Sequence, residues 1–351
     1  MVTPFGLKVD KLFCTILPSN LYIQTIYLVV EMNNEMVSIV VVNYNGKELL
    51  KRMLDSVYNL SYRNYEIILV DNASSDGSVD FVRKNYKNVK IVQNSKNEGY
   101  VGVNSALEFC NGKYIFFLNN DIELEKGCLM ELLKAAKSTK AAMLAPKLVN
   151  FYDKSLQSGG TWVSRAFYNG HLKAAKNEMT KEIPYMGLCL IDRAITDMFG
   201  YLFDPDYFIY AEDLDLGLRL RLLGLKTLLV PSAVVYHLHA ATMSKAKDYK
   251  RTFLMERNLL TTFFKILSLK SILIYTPYVF GMRLVAILKD LITLRFMNGL
   301  ARIAAVLWTF ANFKKISKKR EALQRVRKAS DDNVLQVFSE KEMFKFKHFT
   351  I

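Results

Sequence analysis

Asp71, Asp76, Asp121, Glu212, Asp213, His237 and His239 are the residues of this chain whose types suit chemistry at one cleft. Carboxylates with imidazole suit a hard or borderline divalent cation, Mg2+ or Mn2+, held by few protein ligands and bridging substrate phosphates. Such an ion neutralises charge on a departing diphosphate, while another carboxylate takes the proton of an attacking hydroxyl. Together they describe group transfer from a nucleoside diphosphate donor. Each residue alone has an ordinary explanation: Asp, Asn, Ser and Gly form turns and helix caps, and a histidine at a strand end can be a buried polar residue.

The elements that would position these residues follow from the pattern between 37 and 119. VSIVVVNY (37–44), YEIILVD (65–71), VKIVQN (89–94) and KYIFFLN (113–119) read as strands, and 47–60, 77–86 and 99–110 between them read as helices. That alternation implies right-handed crossovers and a mainly parallel sheet covered on both faces, which binds ligands at its carboxyl edge. Polar residues gather there: Asn43-Tyr44-Asn45-Gly46, Asp71-Asn72-Ala73-Ser74-Ser75-Asp76-Gly77, Asn94 and Asn119-Asn120-Asp121. Neither a GxGxxG nor a GxxxxGK[ST] occurs, so neither a dinucleotide fold nor a P-loop is supported. Residues 151–185 read as an excursion around a cleft, and 186–191, 226–231 and 233–237 as the closing strands.

The stretch EDLDLGLRLRLLG (212–224) has leucine at every second place, as a strand would. Leu222 and Leu223 break that period, no β-branched residue occurs, and Gly224 stands where a helix would stop, so the stretch reads as a helix. Asp215 is then paired with Arg219 four residues on, which accounts for it without a function. Glu212 and Asp213 face Leu216 and Gly217 and lie in the first turn, where the helix dipole favours a carboxylate.

With those pieces in place, residues 37–245 resemble glycosyltransferase family 2, with the GT-A fold, and within it the rhamnosyltransferase-like branch. The resemblance rests on VSIVVVNYNG, VDNASSDGS, NEGYVGVN (97–104), FFLNNDIE (116–123), the segment from Gly187 to Arg193, FDPDYFIYAEDLDLGLRLRLLG (203–224) and VPSAVVYHLHAAT (230–242), in that order. It implies that Asp71 contacts the nucleotide base, with Asn43 and Asn45 near it. Asn72, Asp76, Asn97, Gly99, Asn104, Asn119 and Asn120 complete the donor side, and Asp121 holds the metal and diphosphate. Many relatives carry more acids where this chain has Asn119 and Asn120. The resemblance further implies Asp213 as the general base beside Glu212, with His237 completing the metal shell; His239, on the same face of the strand, is the alternative. The implied reaction is a single displacement with inversion, moving a sugar from a UDP- or dTDP-linked donor, rhamnose among them, to a hydroxyl of a glycan or lipid-linked acceptor.

The net charge is +15, with 51% hydrophobic residues, which fits a folded chain rather than a disordered one. The charge is a property of one end: 21 Lys and Arg stand against 8 Asp and Glu after residue 245, and 27 against 25 before it. A basic, apolar, helix-patterned segment reads as something lying on an anionic membrane; an ordinary helical appendage or a homodimer partner is the alternative. Its longest uncharged window, 271–282, is shorter than the roughly 20 residues a span takes, so it is expected in the interface. Basic residues interleave with aromatics only at 344–349, so no nucleic-acid partner is expected.

Four cysteines far apart suggest neither zinc nor a disulfide framework and fit a reducing compartment, on the inner face of the cell membrane. The division expected is an extension at 1–36, with an anchor at 12–30 as one reading, then a catalytic domain at 37–245, an amphipathic helical region at 246–330 and a tail at 331–351. A nucleotidyltransferase and a non-catalytic membrane scaffold are the rival readings. The first should show a glycine-rich basic loop after the first strand, which VVNYNG lacks.

Overall fold

The computed structural model describes residues 35–172, 180–238 and 248–338. The uncharged stretch 12–30, His239 and the segment 344–349 lie outside them. Strand β1 (Val37–Asn43) runs parallel to β2 (Tyr65–Asp71) on one side and to β4 (Tyr114–Asn119) on the other, and β2 runs parallel to β3 (Val89–Gln93). Helix α1 (Lys47–Tyr58) follows β1 and α2 (Ser78–Asn85) follows β2. Both faces of these strands are apolar because both are covered. Val37, Ile39 and Val41 enter the core beneath α1, whereas Val40 enters a second core with Ile68, Val70, Ile115 and Phe117.

The link between β3 and β4 is a 3-10 helix, Gly99–Phe109, rather than the regular helix its pattern suggests. Two glycines and Asn104 lie inside it, all weak formers of the α-helix. After β5 (Ile122–Leu124) and α3 (Cys128–Thr139) come β6 (Met143–Asn150) and the short β7 (Leu156–Ser158), β8 (Thr161–Val163), β9 (Asn169–His171) and β10 (Lys181–Glu182). Strand β11 (Cys189–Asp192) inserts antiparallel between β4 and β6. Helices α4 (Arg193–Phe199) and α5 (Glu212–Leu222) precede β12 (Thr227–His237). The two closing strands expected from sequence are this single strand, parallel to β6 with a register shift between Val230 and Val234. Pro231 and Ser232 lie within the shift, where ladder pairing lapses. The main sheet runs β10-β12-β6-β11-β4-β1-β2-β3.

Helix α5 explains its own leucine pattern. Leu214, Leu218 and Leu222 enter a third core with Leu259, Leu260 and Phe263, while Leu216 and Leu220 point the other way, into the core with Phe117 and Phe203. A helix apolar on two faces is a buried helix, and Gly217 in its middle allows the Pro184 carbonyl to approach closer than any side chain would permit.

The third core is completed by the C-terminal helices α6 (Asp248–Ile266), α7 (Leu269–Ile292), α8 (Phe296–Ala311), α9 (Phe313–Arg325) and α10 (Asp331–Leu335). Thus α6, which lies on the tail side of residue 245, is packed into the body. Its Lys265 is fully buried between Asp204 and Asp215, at 2.6 and 2.7 Å, and Asp215 also receives Arg219 Nε at 2.9 Å. Burial opposes ionisation of Asp204, but Lys265 and Lys319 outweigh it and hold its carboxyl well below the usual range. The Asp215–Arg219 pair is therefore part of a buried network rather than a surface helix pair. Cys110, Cys128 and Cys189 are free and buried.

Candidate active site

The carboxyl ends of β1, β2 and β4 deliver one connected group of polar side chains. Asn43 is opposite Asp71 in the ladder, and its amide donates to Asp71 Oδ1 at 3.0 Å and to the Ser74 hydroxyl at 3.2 Å. Its carbonyl accepts from Asn120 Nδ2 at 2.7 Å, which ties the end of β4 to the end of β1. Asp71 is fully buried and accepts the Ser74 N–H at 2.9 Å. Asn45, in the left-handed region at φ 49°, accepts the Ser75 N–H at 2.8 Å. Asp76 accepts the Lys47 and Ser78 N–H groups at 2.9 and 3.0 Å. Burial works against its charge, yet these bonds with the Ser78 hydroxyl prevail and lower its pKa.

Asn72, Asn97, Gly99 and Asn104 shape the next wall. The Asn72 amide donates to the Gly99 carbonyl at 2.7 Å, and Asn97 accepts the Gly99 N–H at 2.8 Å. Gly99 has φ +68°, and a Cβ there would meet the Phe208 carbonyl at 2.3 Å, so glycine is required twice over. Asn104 spends its amide on the loop before α5: it donates to the Phe203 carbonyl at 2.7 Å and accepts the Leu202 and Phe203 N–H groups at 2.9 and 3.1 Å. It holds a loop in place across the site.

Asp121 and His237 face each other where β5 begins and β12 ends. His237 Nε2 is 3.2 Å from Asp121 Oδ2, and Gln157 reaches His237 Nδ1 at 2.9 Å from β7. Asp121 Oδ1 and Asn119 Oδ1 are buried acceptors with no hydrogen-bond partner, which leaves unspent capacity at the end of β4. Among the described residues no group of three or more His, Cys, Asp or Glu side chains converges as a metal site. A divalent cation fits here only as an ion with two protein ligands, Asp121 and His237, completed by substrate phosphates and water. The orphaned Asp121 oxygen is what makes that fit.

Glu212 and Asp213 open α5 after a strained turn. Phe208, Tyr210 and Ala211 all have positive φ, at 66, 72 and 60°. Such strain persists only where the surroundings impose it. Asn258, on α6, imposes it by donating to the carbonyls of Tyr207, Ile209 and Tyr210 at 3.2, 3.0 and 2.6 Å, while the Tyr100 N–H donates to the Phe208 carbonyl at 2.6 Å. Burial, then the neighbouring Asp213 charge, pushes Glu212 well above the ordinary range, and its Oε2 has no partner. Burial also raises Asp213, to about 6, against the pull of the Leu214 N–H.

Tyr100 joins the two halves. Burial first, then the charges of Glu212, Asp213 and Asp121, lifts its hydroxyl well above its ordinary pKa. Its ring packs on Phe117 and Phe203, with centroids at 4.9 and 5.5 Å. Gly187 keeps the space between them open: a Cβ there would lie 3.4 Å from Asp213 Oδ2 and 3.6 Å from the Tyr100 hydroxyl. The structure thus joins Asn43, Asp71 and Asn120 by hydrogen bonds and sets Asp121 against His237, while Tyr100 lies within electrostatic reach of Asp121, Glu212 and Asp213. Gln157, Asn258 and Tyr100 were not singled out by sequence. Tyr100 stood within the NEGYVGVN motif, but nothing local marks Gln157 or Asn258. A cavity of about 700 Å³ lined by Lys113, Tyr114 and Asp192 lies at the opposite, amino end of β4, away from the carboxyl-end rule for such sheets.

Comparison with known proteins gives the arrangement a context. Residues 38–196 match the model of "Glycosyl transferase family 2". The chain is 32% identical over 119 residues to a poly(ribitol-phosphate) beta-glucosyltransferase of Bacillus spizizenii, covering 32% of this chain and only 19% of that protein. It is 27% identical over 235 residues to an N-acetylglucosaminyl-diphospho-decaprenol L-rhamnosyltransferase of Mycobacterium tuberculosis, covering 58% of this chain and 76% of that one. The crystal structure of GalNAc-T7 with UDP, GalNAc and Mn2+ superposes with a TM-score of 0.59 at 19% identity, over 71% of this chain and 50% of that one. That likeness gives the fold, the GT-A arrangement.

Proposed function

We propose that the chain, whose residues 38–196 match the glycosyl transferase family 2 model, moves a sugar from a nucleoside diphosphate donor to a hydroxyl of a lipid-linked or glycan acceptor, with inversion. The observation that carries this reading is the pair Glu212 and Asp213, both raised by burial, at the mouth of a helix beside Tyr100 and Asp121.

Asp71, Asn43 and Asn45 hold the nucleotide end of a UDP- or dTDP-linked donor at the rim of β1 and β2. Asp121 and His237 hold a divalent cation, which when bound takes up charge on the leaving diphosphate. Gln157 fixes the His237 ring so that Nε2 faces Asp121. Asp213, with a pKa near 6, is ionised at neutral pH yet still basic enough to take a hydroxyl proton. Burial and the neighbouring Asp213 charge raise Glu212 as well, and the role of base falls to Asp213, whose side chain lies beside the Gly187 space. Gly187 leaves the space beside Asp213 and Tyr100 for the acceptor hydroxyl. The rhamnosyltransferase relative, named for a lipid diphosphate sugar, supports an acceptor of that class.

The test is thermal stabilisation by nucleotide sugars with and without Mn2+, paired with Asp213→Asn. A donor that binds raises Tm by mass action. Asp213→Asn is expected to lower turnover by about a thousandfold or more with the donor shift intact. Turnover within tenfold of the unaltered protein would remove Asp213 from its role.

A further inference from the structure

We propose that α7 and α8 form an in-plane membrane hairpin, their shared outer face sunk into one leaflet of a bilayer bearing anionic lipids. The usual distribution of residues is reversed in this pair. Leu273 is 76% exposed, Ile292 81% and Leu307 64%, with Leu284, Leu288 and Phe310 exposed beside them. Three charges of the pair, by contrast, turn inward, while Lys289 stays exposed near the end of α7. Arg283 is buried with its Nε 3.2 Å from Glu256 Oε2, Arg302 meets the same Glu256, and Arg302 Nε lies 2.8 Å from Asp290 Oδ2. In water, arginine heads go outward and leucines inward. A contiguous apolar face of this extent marks a surface made for another phase or partner.

Charge complementarity selects the occupant. Exposed cations accompany these helices: Lys270 and Lys289 on α7, Arg295 just before α8, and Lys314 and Lys318 on α9. Apolar face, inward ion pairs and the accompanying exposed cations together match a leaflet with anionic headgroups, which attract Lys and Arg near the surface.

The same residues decide how the hairpin sits. Taken by length and composition, α7 is one helix of 24 residues, long and apolar enough to cross a membrane. The twelve-residue window 271–282 misses this because it stops at Arg283, which points inward and leaves the outer face apolar. Yet the middle of α7 is fixed to the globular body: Arg283 Nη1 donates to the buried Ala166 carbonyl at 3.0 Å, and Val279 is fully buried. A helix about 36 Å long cannot be surrounded by lipid while its midpoint is held against a soluble domain, so it lies flat. This placement gives the proposed lipid-linked acceptor a route along the surface. It uses no residue of the transfer site, so its failure leaves that reading standing.

The experiment uses the full chain and vesicles of phosphatidylcholine with phosphatidylglycerol. The triple substitution Leu273→Asn, Ile292→Asn and Leu307→Asn should lower vesicle partitioning by roughly tenfold or more, leaving turnover on a water-soluble acceptor unchanged. Polarity-sensitive labels on Leu273→Cys, Leu284→Cys and Ile292→Cys, each alone, should report one common shallow depth; these single changes keep the test valid if the triple variant misfolds. The proposal is overturned if the unaltered protein ignores the vesicles or if the triple variant binds them undiminished. It is also overturned if label 284 sits deep between two shallow ends, which means a span. A lipid-free dimer dispersed by the same substitutions, with labels that never enter lipid, would assign the face to a second copy and overturn it too.

Discussion

Helix α5 and the α7–α8 pair are written in similar letters. The first reads EDLDLGLRLRL, and the second contains LVAILKDLI and GLARIAAVLW, runs of leucine and other apolar residues carrying arginines. In both, the arginines are turned inward to carboxylates: Arg219 to Asp215 in one, Arg283 and Arg302 to Glu256 in the other. The leucines part company. Those of α5 are fully buried on two sides, whereas the outer leucines of α7 and α8 are among the most exposed large side chains of the described residues. What differs is the neighbour: α5 is pressed between the sheet and α6, and α8 has protein on one side alone. Apolar composition therefore says that a face will be covered, and position in the fold says by what.

The largest effect that could break this comparison is at the buried cation joining α5 to α6. Lys265→Met leaves Asp204 and Asp215 in the core without their bridge. The expected loss is about 3–5 kcal/mol of unfolding free energy, measured by urea titration. A loss below about 1 kcal/mol would show that α6 is not fastened to α5 in the way described.

Next in size is a matched pair of leucines. Leu218→Ala, at a fully buried position, should cost about 2–5 kcal/mol. Leu273→Ala, exposed on α7, should change stability by no more than about 0.5 kcal/mol in lipid-free buffer. Equal costs would mean that the outer face of α7 is covered in solution and would erase the contrast.

The smallest effect sharpens the comparison within α5 itself, where two carboxyls are raised rather than lowered. The folded state holds protons on Glu212 and Asp213 that the unfolded chain has released, so their contribution falls as pH rises, for Asp213 from about 4 through about 6 and for Glu212 in the same direction. The double variant Glu212→Gln and Asp213→Asn removes that fall. Its Tm should exceed that of the unaltered protein by a few degrees at pH 7.5 and converge with it near pH 4.5. Asp204, lowered by Lys265 and Lys319, works in the opposite sense: its contribution is present above its unfolded pKa and lost in acid. A Tm gap that widened toward acid would contradict the raised pair.

Much of the polar rim of the sheet was legible because strand and rim are adjacent in sequence. β-branched runs ending in Asn43, Asp71 and Asn119 announce both the parallel sheet and its polar edge, and the structure places Asn43 opposite Asp71 as that pattern requires. The helix at Glu212 was legible for a different reason: Leu222, Leu223 and Gly224 break a strand period locally. The order of β11 between β4 and β6 was not legible, since antiparallel insertion depends on partners more than forty residues away. Gln157 was invisible for the same reason, its only signal being a contact with a histidine 80 positions later. Asn258 reads as any polar residue of a helix until the carbonyls of Tyr207, Ile209 and Tyr210 are seen around it.

By itself the sequence determined most of the element types, the 3-10 link before β4 and the single strand β12 apart, together with the rim of the sheet and the acids that open α5, because those depend on residues within a few turns of one another. Only the tertiary structure decided which carboxyl is buried beside which. Desolvation and charge interact through space, so the raised pair at Glu212 and Asp213 depends on the burial of the start of α5 and on the two acids lying side by side there, and that burial is encoded by no local spacing. It also decided that Arg283 faces inward, and with that turn of one side chain the apolar window that ended at 282 extends along α7 as far as Lys289.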